Sequence, residues 1–112
     1  MAQTIEWYLA GAFDEKGFDL DFAAHDRATR AVASISEARA MLDRAFQQAR
    51  QAIEERSNAE WHTPLPAGPI MGGMPRYAVF AGMEDHTAHH RGALSVYSRL
   101  LGRVPPMPYG EG

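Results

Sequence analysis

The 112-residue chain contains no cysteine. That absence excludes disulfides, thiolate metal sites and cysteine nucleophiles together. A basic surplus is missing too: eleven Lys and Arg against fourteen Asp and Glu leave a formal net charge of -3. A protein that displaces counterions from a phosphate backbone needs the opposite balance, so no nucleic-acid partner is expected. No apolar run approaches the roughly 20 residues of a membrane span, and the first residues lack the basic start of a signal peptide. No membrane association is expected, and the location expected is cytoplasmic. What remains is 46% hydrophobic and 22% charged residues, the mixture of an ordinary globular domain and not of a disordered chain. Residues 1–112 are read as one domain.

Proline and glycine gather in one place. Pro64, Pro66, Gly68, Pro69, Gly72 and Gly73 fall between Asn58 and Met74, which reads as a loop or lid. On either side of it the pattern is helical. Ser34-Ile35-Ser36-Glu37 has capping-box spacing. Beyond it Ala38, Met41, Leu42, Ala45, Phe46, Ala49, Ala52 and Ile53 recur at steps of three and four, a single apolar stripe running to about Ser57. A second helix is predicted from Pro75 to Leu101, stopped by Gly102 and the Pro105-Pro106 pair. Its apolar line is Val79, Met83, His86, His90, Leu94, Tyr97 and Leu101. Gly82 and Gly92 weaken this helix and permit close approach of a neighbour. QTIEWYLAGAF, residues 3–13, reads as helix, and the twenty residues after it as a connection holding at most a short helical turn. The fold class is all-α, of the bundle type.

The chemistry-bearing segment is Asp85-His86-Thr87-Ala88-His89-His90. His86 and His90, four residues apart, project from adjacent turns of one helical face, and two imidazoles at that spacing can share one divalent ion. Thr87 stands where a zinc metalloprotease carries its general base, so that activity is set aside. The structural alternative is a pair of core histidines hydrogen-bonded across the bundle. Burying two neutral imidazoles costs free energy unless both find partners, and one ion partners both. His89 points off the stripe. His25 and His62 are read as solvated loop residues, Arg91 as a surface ion pair, Trp7, Tyr8 and Phe13 as a core cluster, and Met71, Met74 and Met83 as gap fillers.

HTAHHRGALSVYSRLLGRVPPMPYG, with AQTIEWYLAGAF and SISEARAMLDRAF ahead of it, resembles the DinB/YfiT-like superfamily of bacterial helical metal-binding proteins; the HxxxHRG element followed by a tyrosine and then PP is the specific part. The resemblance implies an up-down-down-up four-helix bundle, often a homodimer, that holds one divalent ion, zinc or nickel, with three histidines. Two of them map onto His86 and His90. The third, and the family's first helix, would precede the segment that here begins Ala2-Gln3-Thr4-Ile5, so the chain reads as an N-terminally shortened member. Characterised relatives include S-transferases and isomerases that use low-molecular-weight bacterial thiols, which makes metal-dependent S-transfer to a small-molecule substrate the expected activity. The alternative is a non-catalytic helical module that self-associates or binds a partner through its apolar face.

Overall fold

The computed structural model describes residues 1–106. Among the described residues there are five helices: α1 (Ala2–Phe13), α2 (Phe22–Arg30), α3 (Ile35–Glu55), α4 (Asn58–His62) and α5 (Ala78–Leu100). Among the described residues the only β-type pairing is an isolated bridge between Pro64 and Pro75. The all-α class expected from the sequence is therefore observed. The PPMPYG tail passes outside the described residues at Met107.

Three of the helix starts, those of α2, α3 and α4, have a side-chain cap. Ser34 caps α3 by accepting a hydrogen bond from the Glu37 backbone N–H at 3.1 Å. The Glu37 carboxylate turns past Ser34 and accepts from the Ala33 N–H at 3.0 Å, so the box is offset by one residue. A complete capping box opens α4 instead, where Ser57 and Glu60 satisfy each other's backbone donors. That helix lies at the start of the stretch expected to be loop. Asp21 caps α2 through the Ala24 N–H at 2.9 Å, so the connection after α1 holds a nine-residue helix and not a single turn. His25 consequently sits within α2 and His62 ends α4, both in helices where loops were expected.

α1 is the centre of the packing, since it alone touches both α3 and α5 extensively. Residues at its start share a cavity with Ala38 and Leu42, and residues at its end share one with Ala52 and Glu55. α1 and α3 therefore run in the same direction. Along α5 the order reverses, with Tyr8 against Gly82 and the first residues of α1 beside His86 and His90. The three long helices thus form a down-down-up set. Ile5, Leu9 and Ala12 of α1 meet Ala45 of α3, Trp61 of α4, Leu65 and Val79 of α5 in one core.

The apolar stripes are only partly used. On α3, Leu42, Ala49 and Ala52 pack against the core, while Phe46 and Ile53 stay exposed. On α5, Val79 is fully buried and Met83 packs beside it, but Leu94, Tyr97 and Leu101 face away from protein, Leu101 at 80% exposure. The expectation that this whole line turns inward is corrected, and the reason is length. At about 1.5 Å per residue, the 23 residues of α5 outrun the 12 of α1 by roughly 16 Å. The aromatic cluster is corrected as well. Trp7 and Tyr8 stack together at 5.0 Å, whereas Phe13 packs on Trp61 at 4.8 Å, under the Arg56 guanidinium at 4.4 Å.

The proline-rich loop is not a lid over the histidines. Leu65 and Thr63 pair by backbone hydrogen bonds with Met74 and Arg76, Leu65 is buried in the core, and Arg76 donates to the Ala12 carbonyl. All of this closes the end of the bundle where α1 finishes, while His86 and His90 lie where α1 begins.

Two glycines show opposite demands. A methyl group at Gly11 would overlap the Phe18 ring, whereas one at Gly92 meets nothing within 4 Å. Gly92→Ala should therefore stabilise the chain by about 0.5–1 kcal/mol through helix propensity, and Gly11→Ala should destabilise it by about 1–3 kcal/mol through overpacking. Urea unfolding of the two variants measures both signs.

Candidate metal centre

Why two histidines meet follows from the notch one turn before them. Gly82, His86 and His90 occupy successive turns of one face of α5. A Cβ on Gly82 would lie 2.7 Å from the tip of the Tyr8 ring, closer than van der Waals contact permits, so the absent side chain is what lets α5 settle against α1. The next two positions on that face then open above the first turn of α1. There the Nε2 atoms of His86 and His90 stand 2.8 Å apart, with ring centroids 4.5 Å apart and planes at 66°. At that separation one neutral ring donates its Nε2–H to the lone pair of the other.

Both rings are half-buried and both titrate below the ordinary histidine range. For His86 the main cause is burial, followed by the charge of His90, the chain's amino terminus and His89, with Asp85 opposing. For His90 burial again leads, then the amino terminus and His89. The pair is thus held in the neutral form, the form that binds metals. Nitrogens at about 2.0–2.1 Å from a common ion lie about 2.9 Å apart at a right angle and about 3.4 Å apart at the tetrahedral angle. The observed separation matches the nitrogen spacing at neighbouring positions of an octahedral ion, reached once both lone pairs turn from each other toward the ion.

Two donors converge, and the set stops there. Among the described residues no group of three or more His, Cys, Asp and Glu is placed to hold an ion. The third histidine implied by the resemblance has no counterpart among them. His89 packs its ring 5.5 Å from His90 and does not join the pair. His62 lies at the far end of the bundle, where its Nδ1 pairs with the Asn58 carbonyl at 2.7 Å. Arg91 stands on the rim of the groove between α3 and α5, and among the described residues it makes no ion pair.

The imidazole pair forms one wall of a mostly apolar cavity of about 630 Å³, bounded by the first turn of α1, Thr29 and Val32 at the end of α2, and Ile35, Arg39 and Leu42 on α3. A second, smaller cavity of about 200 Å³ lies on the other side of His86, between α1, α2 and α5. Thr29 and Gln3 are hydrogen-bonded to each other across the gap between α1 and α2. His25, read from the sequence as solvated, borders the small cavity. Its Nε2 is buried without a hydrogen bond, 3.3 Å from a carboxylate oxygen of Asp19 but out of line with it. The signal for it was the Asp21 cap, which makes α2 a helix and turns His25 toward α1.

No helix of the described residues is long and apolar enough to cross a membrane. A search of curated proteins and a search of solved structures each returned no match. The family model described as the DinB family matches residues 11–112, all but the first ten residues and including every position of the HxxxHRG element. The chain belongs to the DinB family.

Proposed function

We propose that this DinB family protein binds a divalent ion, zinc or nickel, through His86 and His90, and serves as an S-transferase in which a low-molecular-weight bacterial thiol loses its proton and forms a bond from its sulfur to a small electrophilic substrate. The observation that carries the reading is the convergence of two neutral Nε2 atoms, 2.8 Å apart, on the wall of a cavity large enough for a second molecule. A bound divalent ion would supply Lewis acidity, lowering the pKa of a thiol or water that shares the site. The chain's own residues do the rest. His86 and His90 offer the two ring nitrogens from a rigid helix, the apolar residues of α3 and α1 exclude water around the reacting groups, and Arg39 on the same cavity is the cationic group available to an anionic part of the thiol. With two protein donors, several positions of the ion stay open to thiol and substrate.

A second reading rests on a different observation. α3 and α5 leave between them an apolar groove of about 710 Å³ lined by Phe46, Ile53, Phe80 and Met83. Its rims carry Arg50 and Arg91 together with Glu54 and Glu84, so both charge signs are present for pairing with a two-fold related copy. The reading is a homodimer joined across this groove, whether or not the histidines carry a reaction.

Three outcomes test these readings. Calorimetric titration with zinc or nickel should show one ion per chain. His86→Ala and His90→Ala should each weaken binding by more than about 100-fold, beyond what losing an outer-shell partner costs; an unchanged isotherm in either variant removes the metal reading. The metal-free protein should also lose stability on acidification. The unfolded histidines take up protons near 6.5, the folded pair only at lower pH, so stability is complete above 6.5 and falls as pH drops through that value, levelling below the folded values. Unfolding midpoints across pH 5–8 should show this slope, flattened in the His86→Gln/His90→Gln variant. Sedimentation at micromolar concentration should give a dimer that Phe46→Asp converts to a folded monomer; a monomeric wild type counts against the groove.

A further inference from the structure

α2 differs from the three long helices in what holds it. None of its residues is buried, and it packs extensively on none of the other helices. What keeps it helical is local. Asp21 caps its start through the Ala24 N–H at 2.9 Å, and Arg30 pairs with Asp26 one turn back at 2.7 Å. Arg27 and Arg30 put positive charge at its C-terminal end, where the helix dipole is negative. Nine residues fall short of the roughly 12–15 at which an isolated helix holds in water. These local supports let α2 move as a unit, because no buried face has to be surrendered first.

The two ends of this segment are anchored, and the middle is not. Before α2, the Phe18 ring fills the notch left by Gly11, and the Asp19 carbonyl accepts from the Trp7 indole at 2.7 Å. After it, Ser34 caps α3, whose Ala45 sits in the core with Leu42 against it. Between these anchors, among the described residues, one hydrogen bond ties α2 to another helix, that of Thr29 with Gln3. The Phe22 ring stands 6.1 Å from Trp7 and is 57% exposed, so it leans on α1 without being buried by it. α2 also walls both cavities beside the histidines. Phe22 and His25 border the smaller one and Thr29 the larger, while Gln3, Thr4 and His86 border both. The bond made by Gln3 thus stands at their boundary.

We propose that α2 is a hinged gate over the histidine pair, held shut by the Gln3–Thr29 hydrogen bond, and that its release opens the two cavities into one continuous space alongside His86. A neutral bond at the surface suits a latch. Net of the water bonds it replaces it is weak, so it breaks and remakes while the core stays folded, as the least stable parts of a native structure do. Its opening governs how readily a molecule larger than an ion reaches the imidazoles.

Modification of the imidazoles by diethyl pyrocarbonate, mapped by peptide mass spectrometry on the metal-free protein, reads the gate. His62, exposed at the far end of the bundle, is the internal reference. Thr29→Val removes the latch at an exposed position. It should speed modification of His86 about three- to tenfold, the weight of one ordinary hydrogen bond in an opening equilibrium. His62 should react as before, and the urea midpoint should stay that of the wild type because α2 buries nothing. The opposite variant exploits the absence of cysteine. Gln3→Cys/Thr29→Cys bridged by a short bis-maleimide should react at His86 several-fold more slowly than the same double variant capped with N-ethylmaleimide, which adds bulk without a tether. The proposal is overturned if bridged and capped proteins react alike, or if Thr29→Val reacts as wild type does. A faster reaction of Thr29→Val that comes with a lowered urea midpoint, or with an equal rise at His62, marks general loosening and overturns it too. Every rate is read without metal, so a calorimetric titration that finds no zinc binding removes the metal reading and leaves the gate standing.

Discussion

The contact between Tyr8 and Gly82 sets the geometry on which everything else in the molecule depends. A helix pair carrying ordinary side chains stands 8–10 Å apart between axes. Here the missing Cβ of Gly82 admits the tip of the Tyr8 ring at the turn that precedes His86. Because Gly82, His86 and His90 share one face, fixing the first fixes the direction of the other two. The histidines point over the first turn of α1 into the cavity, not outward to solvent. Tyr8 at the same time contributes its ring to the aromatic wall on the other side of His86. One small-for-large pairing thus orients the donor nitrogens and builds the neighbouring cavity.

The same economy leaves the structure open. α1 is too short to cover α5, and α3 and α5 barely meet, so the core contains a handful of fully buried side chains while Phe46, Ile53, Leu94, Tyr97 and Leu101 lie exposed. A helix with an apolar face is stable chiefly through what that face packs against. The end of the bundle beyond α1 is well supplied, with Trp61, Leu65, Phe13 and the Arg76 hydrogen bonds knitting α1, α4 and the loop together. The end that carries the histidines depends more on α1, α2 and the polar link between Gln3 and Thr29. The fully or nearly buried side chains gather away from the histidines.

Much of this was legible in the sequence, for reasons that differ by element. The periodicity of residues 38–53 identified α3, and the proximity of His86 and His90 followed from the 3.6-residue repeat alone, because a four-residue step cannot separate two side chains on a helix. The buried half of each stripe could not be told from the exposed half. Val79 and Leu101 have the same periodicity, and only the length of the neighbouring helix decides between them. α2 was missed because its apolar content is low, and its origin lies in the Asp21 cap and not in a stripe. α4 was missed because five residues carry no period; the Ser57 and Glu60 pair was the available sign. Phe13 and Trp7 are six residues apart, which on a helix is over one and a half turns, so their assignment to one cluster conflicted with the helix that contains both.

The hydrogen bond between the two imidazoles has a consequence for what the pair can do. A bond from one Nε2–H to the other Nε2 satisfies both rings without an ion, so the pair is comfortable when empty and no unpaired charge forces it to fill. For both Nε2 atoms to turn their lone pairs to a metal, the shared proton must leave and the donor ring must carry its hydrogen on Nδ1 instead. An ion at this place therefore competes with a proton for the same space between the same atoms. Burial and the neighbouring positive groups keep a second proton off each ring by lowering both pKa values, so the move needed is a change of tautomer and not the loss of a charge. The arrangement is that of a donor pair kept neutral and close-set, its two rings satisfying each other.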